Sequence, residues 1–188
     1  MIKELGLPAM VTLATTRPQQ TWDGYGYVGA CKILADHGAD IVGLNCDRGP
    51  ATMLPIIEQV RGAVSSYVAA QPVPYKTQAS MPTFESLKTA DGTNVFPIAL
   101  ESFLCTRFEM ADYARQAQAL GVNYVGICCG RAPHHVRAMG RGAGPHRPSQ
   151  PIFAGHRTPP DDWCQGGGER ERIPRRLEGL GLALSRRR

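Results

Sequence analysis

Two short apolar runs in this chain end on cysteine. Ile41-Val42-Gly43-Leu44-Asn45-Cys46 ends on one, and Tyr124-Val125-Gly126-Ile127-Cys128-Cys129-Gly130 ends on a vicinal pair followed by glycine. If both runs are strands of one parallel sheet, their carboxyl ends bring three thiols together, the donor set of a catalytic zinc site with one position open. Neighbouring residues of a straight strand point to opposite faces, so Cys128 and Cys129 need the sharp departure that Gly130 permits. Three thiolates at about 2.3 Å would leave the fourth tetrahedral position to a substrate. A thiol held there would lose its proton at neutral pH and become a nucleophile, and the natural reaction is alkylation of that sulfur. The plain alternative is that small apolar cysteines are simply buried in a core. A metal-free, redox-sensitive vicinal dithiol is a third reading.

The elements that must position these thiols follow from the hydrophobic pattern. Residues 9–16 form an apolar, partly β-branched run and read as a strand, with a turn-rich loop over 17–26 after it. Apolar residues at Val28, Cys31, Ile33, Leu34 and Ala35 predict a helix over 27–37, with Cys31 on the face toward the sheet. Residues 41–46 lack polar alternation, as expected of a parallel strand covered on both faces. A helix is expected over 51–64, with Pro55 in its first turn or so, and a strand over 66–70. A long polar connection over 76–94 follows. A helix over 109–120, which Thr106 could cap, then leads into a strand over 122–128 and a helix opening at Pro133. Strand and helix alternate four times, the pattern of βαβ crossovers and a parallel α/β sheet.

Composition bounds the rest. With 188 residues and 43 % hydrophobic side chains, one core is the expectation. No apolar run approaches the roughly 18 residues that span a bilayer, and the start has no signal-peptide core, so a cytoplasmic protein without a membrane partner is expected. Six cysteines in such a setting suit free thiols or metal ligands better than disulfides. The net charge of +5 comes wholly from residues 140–188, which hold ten basic and five acidic side chains, whereas residues 1–139 hold eleven of each. Nine glycines and six prolines fall in that same stretch, a composition that predicts a disordered Gly/Pro/Arg-rich tail after a domain over 1–139. Its arginine clusters lack the interleaved aromatics of a nucleic-acid interface, so nucleic acid is not an expected partner.

The motifs Gly43-Leu44-Asn45-Cys46 and Gly126-Ile127-Cys128-Cys129-Gly130, with Pro133 and His135 beyond, resemble the zinc motifs of the homocysteine S-methyltransferase family. The intervening Ala69-Ala70-Gln71-Pro72-Val73-Pro74-Tyr75 looks most like the betaine–homocysteine branch, and the resemblance runs from about Leu7 to Met139. It implies a (β/α)8 barrel in which Cys46, Cys128 and Cys129 hold Zn2+, the zinc binds the homocysteine sulfur, and a methyl group passes from betaine or another onium donor to give methionine. It also implies that this chain corresponds to the last four strands, a parallel (β/α) half-barrel. The first four strands would then lie outside it, with the acidic residues that hold the homocysteine amino group and the aromatics that cage the donor's ammonium. An incomplete or mis-spliced product is the expectation from that abrupt start and from the change after Gly140. Ile127 stands where the family usually has a second glycine, and the tail has no likeness to the family's C-terminal segment.

Around the thiols, Asn45 and Gln71 at strand ends are candidates for orienting ligands by hydrogen bonds, and Glu101, after the strand-like Phe96 to Leu100, for a pocket role. His134 and His135 are expected in solvated or capping roles rather than as ligands. Trp22 could reach the rim of the site, with packing as an equal alternative. Cys105 and Cys164 have no partner motif. Four parallel strands cannot close a barrel, so open edges and an uncovered sheet face favour self-association. The runner-up function is a catalytically inactive half-barrel that retains a zinc- or thiol-binding site.

Overall fold

The computed structural model describes residues 2–130 and 133–143. Strands β1 (Met10–Ala14), β2 (Ile41–Asn45), β3 (Tyr67–Gln71) and β4 (Tyr124–Val125) alternate with helices α1 (Tyr27–Asp36), α2 (Pro50–Ala63), α3 (Arg107–Ala119) and α4 (Pro133–Ala143). All strand pairs are parallel, and the sheet order β1-β2-β3-β4 repeats the chain order. Each crossover therefore steps one strand on in the same direction. Because such crossovers are right-handed, all the helices fall on one face of the sheet, and α1 packs on α2, α2 on α3 and α3 on α4.

The core lies between that face and the helices. Val42, Leu44, Val68 and Ala70 of the two central strands meet Met53, Leu54, Ile57 and Val60 of α2 and Met110, Tyr113, Ala114 and Ala117 of α3. The spacing of both helical sets places them on single stripes. Cys31 is fully buried here with its Sγ 3.8 Å from the Gly43 carbonyl, the core role expected of it. Gly43 is required for close strand approach, since a Cβ there would lie 1.9 Å from the Ala69 carbonyl oxygen. The opposite sheet face carries Met10, Tyr67 and Tyr124, which the register places on one side, and they are 36, 61 and 46 % exposed.

Helix ends follow local chemistry. The N-terminus of α3 closes a capping box, with the Glu109 N–H donating to Thr106 Oγ1 at 3.2 Å and the Thr106 N–H to Glu109 Oε2 at 2.6 Å. Helix α2 begins at Pro50, so Pro55 lies inside it rather than in its first turn. Helix α4 continues through Gly140 to Ala143, past the expected change of character. Gly142 lets it approach α3, since a Cβ there would lie 2.8 Å from the Ala111 carbonyl oxygen. The expected disordered tail, with Cys164 and the arginine clusters, falls from residue 144 on outside the described residues.

Three further expectations need correction. The fourth strand spans two residues rather than 122–128. The Gly126 and Cys128 N–H groups still donate to the Ala70 and Pro72 carbonyls, both at 2.9 Å, but Pro72 and Pro74 have no N–H to return, so the ladder fails there. The polar connection is folded: Val73, Tyr75, Leu87 and Val95 form a second small core, with short 3-10 turns at Phe84–Ser86 and Leu100–Phe103. His135 is not solvated but fully buried, its Nε2 bonded to the Cys105 carbonyl at 2.8 Å.

With Met139 one turn on, His135 anchors α4. Burial holds its pKa below the ordinary 6.5, so the unfolded chain binds more protons and stability is lost as pH falls through about that value. Urea midpoints measured between pH 8 and 5 should decline, and His135→Gln should flatten the decline. An unchanged slope in the variant would contradict the anchoring role.

Candidate metal centre

Two left-handed backbone turns aim the thiols. Cys46 and Asp47 both have φ near 60°, a conformation that costs a non-glycine residue on the order of 1 kcal/mol. The surroundings hold it. The Cys46 N–H donates to the Gln71 carbonyl at 3.0 Å, Thr15 Oγ1 donates to the Cys46 carbonyl at 2.6 Å, and the Phe84 N–H donates to the Asp47 carbonyl at 2.8 Å. At the other side Gly130 takes φ 81°, and a Cβ on it would lie 2.3 Å from the Tyr75 hydroxyl oxygen. Tyr75 thus presses against the turn that carries the vicinal pair, itself stacked on Phe84 with ring centroids 5.8 Å apart.

The result is a compact group of sulfurs. Cys129 Sγ lies 3.6 Å from Cys46 Sγ and 3.7 Å from Cys128 Sγ, and all three sulfurs are within 4.8 Å of one another. Tetrahedral zinc with sulfur at about 2.3 Å requires neighbouring sulfurs roughly 3.8 Å apart, so the three fit that ion. Among the described residues no fourth Cys, His, Asp or Glu joins them. Cys46 and Cys128 are half-buried against the second core and Cys129 is exposed, so the group has a dry floor and an open side. Burial pushes the Cys46 thiol up, and hydrogen bonding with Cys128 and Cys129 adds to this, while the Asp47 N–H opposes it. Without a cation the protonated form is favoured; a bound metal would reverse that.

The other predicted residues are placed unevenly. Asn45 and Gln71 end β2 and β3 as adjacent partners. Asn45 acts through its carbonyl, which accepts from the Thr15 N–H at 3.2 Å. Gln71 holds the Cys46 N–H through its carbonyl, and its amide lies along Gly126, with Nε2 3.3 Å from where a Cβ would be. Glu101 does not follow a strand. It is exposed in the 3-10 turn Leu100–Phe103, and its charge, after burial and before that of Cys129, helps to raise the Tyr75 hydroxyl pKa. Trp22 is 72 % exposed, with the Arg17 guanidinium 4.1 Å above its ring. Neither His134 nor His135 joins the thiols. Tyr75 was missed as a residue of the site; its signal was an aromatic directly after a Pro-x-Pro segment at a strand end.

The sequence pattern described as "Homocysteine S-methyltransferase" matches residues 1–142. The chain belongs to this family. It is 35 % identical over 147 residues to "Betaine--homocysteine S-methyltransferase 1" of Danio rerio, covering 74 % of this chain and 34 % of that protein. It is 33 % identical over 154 residues to "S-methylmethionine--homocysteine S-methyltransferase BHMT2" of Pongo abelii, covering 78 and 40 %. A solved structure of the homocysteine methyltransferase MmuM from Escherichia coli in its apo form aligns over 75 % of this chain and 41 % of its own, at 15 % identity and a TM-score of 0.48. The chain thus spans between a third and two-fifths of the length of the two curated relatives. Among the described residues no helix is long and apolar enough to cross a membrane.

The Gly130 turn gives a direct check on the thiol arrangement. Gly130→Ala should lower zinc affinity at least about ten-fold, the size expected when a residue supporting a metal ligand is displaced, with the far-ultraviolet circular dichroism unchanged. Unaltered affinity, measured by competition with a chromophoric chelator, would show that the turn does not aim the sulfurs.

Proposed function

We propose that this chain is the zinc-bearing part of a homocysteine S-methyltransferase, a parallel half-barrel whose last helix, α4, runs past the expected boundary at 139 to Ala143. The spacing of the Cys46, Cys128 and Cys129 sulfurs carries this reading, because it matches three corners of a zinc tetrahedron and leaves the fourth free. When bound, the ion supplies Lewis-acid chemistry that keeps a coordinated thiol ionised at neutral pH.

The chain's own residues do the rest. Cys46, Cys128 and Cys129 would hold the ion as thiolates. The Asp47 N–H, which bonds the Cys46 sulfur, favours the charged form of that ligand. Gln71 and Asn45 fix the strand ends from which the ligands depart. Val73, Tyr75, Leu87 and Val95 shield the inner side of the sulfurs from water, which leaves the approach of homocysteine to the open side near Cys129. Betaine is the proposed methyl donor, with S-methylmethionine the alternative that the Pongo abelii relative's name suggests.

A second reading is favoured by the sheet face that leaves Tyr67 and Tyr124 exposed. In it the chain by itself keeps zinc and thiol binding without turnover, and two copies associate across the open edges and that face. One experiment separates the two. The purified 188-residue chain should bind one zinc per chain and form methionine from homocysteine with betaine or S-methylmethionine. Stoichiometric zinc without methionine would favour the second reading. No zinc at all would refute both.

A further inference from the structure

Outside the thiol centre, a cavity of about 800 Å³ opens between the N-terminal ends of α1 and α2 and the loops at Pro18–Gln19 and Thr77–Pro82. Its volume is that of a small-molecule site. One wall is built firmly: Thr52 Oγ1 lies 2.7 Å from Thr77 Oγ1 and 2.8 Å from the Pro82 carbonyl oxygen, and the Gly49 N–H donates to Thr77 Oγ1 at 3.0 Å. Gly49 is needed there, since a Cβ would lie 2.0 Å from the Tyr75 carbonyl oxygen.

Arg48 also lines this cavity, and it is the unusual member. The residue is only 6 % exposed, and one Nη donates to the Pro18 carbonyl. Its Nε is buried and has no hydrogen-bond partner. Among the described residues no carboxylate forms an ion pair with it. Asp47 is buried next to it in sequence but does not bond it. A guanidinium out of water without a counter-charge is costly by several kcal/mol, and this one adjoins the positive end of the 14-residue helix α2. Both features ask for an anion. Beside the amides of Gln19, Gln59 and Gln78, the lining has an apolar part at Val28, Pro55 and Ile56 that suits a hydrocarbon body rather than a bare inorganic ion.

We infer that the cavity at Arg48 is a binding site for a small organic monocarboxylate, its carboxylate on Arg48 and its apolar part against Val28, Pro55 and Ile56. The planar fork of arginine matches a carboxylate, and the bond would be charge-assisted. This site is separate from the thiol centre and does not depend on the reading proposed for it.

The test is calorimetric titration of the full 188-residue chain with hexanoate, hexanamide and inorganic phosphate. Hexanoate should bind saturably with one site per chain, and hexanamide and phosphate at least about ten-fold more weakly, since one lacks the charge and the other the apolar body. Ile56→Glu, which leaves Arg48 intact and sets a repelling carboxylate where the hydrocarbon would lie, should weaken hexanoate binding at least about ten-fold. Arg48→Met should do so too, with retained circular dichroism reporting that it folds. Equal binding of hexanoate and hexanamide, binding undiminished in Ile56→Glu, or no binding of hexanoate to the parent chain would overturn the inference.

Discussion

The convergence of three sulfurs depends on one constraint, the parallel register of β2, β3 and β4. Asn45 pairs with Gln71 and Ala70 with Val125, so Cys46 and the segment leading to Cys128 emerge from the same end of the sheet. A shift of one residue would turn Val42, Leu44, Val68 and Ala70 away from the helices. The core therefore fixes the register, and the register fixes where the cysteines emerge. What remains is done by backbone turns, the left-handed pair at Cys46 and Asp47 and the glycine at 130.

The connection between β3 and α3 completes the site. It places Tyr75 against Gly130 and packs Cys46 and Cys128 against Val73, Leu87 and Val95. The prolines at 72 and 74 serve two ends here: they stop the ladder with β4, and they free the chain after Val125 to turn the vicinal cysteines toward Cys46. Burial then raises the Cys46 thiol, which in the absence of a cation leaves the group poised to exchange protons for metal.

Much of this was legible beforehand. The continuous apolar runs at 41–46 and 66–70, the helical stripes and the Thr106 cap all correspond to elements of the fold, because local pattern and tertiary packing agree there. The meeting of the Cys46, Cys128 and Cys129 sulfurs was legible too, since strand ends of a parallel sheet gather at one edge. The failures have a common cause. Residues 76–94 read as a mostly polar connection, yet Leu87 within it and Val95 just after it meet Val73 and Tyr75 only through long-range contacts that no periodicity reports. His135 looks like a surface residue of a helix start, but the crossing of α4 over α3 buries it under Cys105. The strand expected over 122–128 was shortened by prolines in its neighbour, not by anything in its own sequence.

The centre proposed for this chain holds metal by sulfur alone, with one position open to homocysteine. X-ray absorption at the zinc edge of the loaded 188-residue chain tests this most directly. It should give three sulfurs at about 2.3 Å and one lighter atom, changing to four sulfurs when homocysteine is added. A shell of nitrogen and oxygen, or one that homocysteine leaves unchanged, would contradict it.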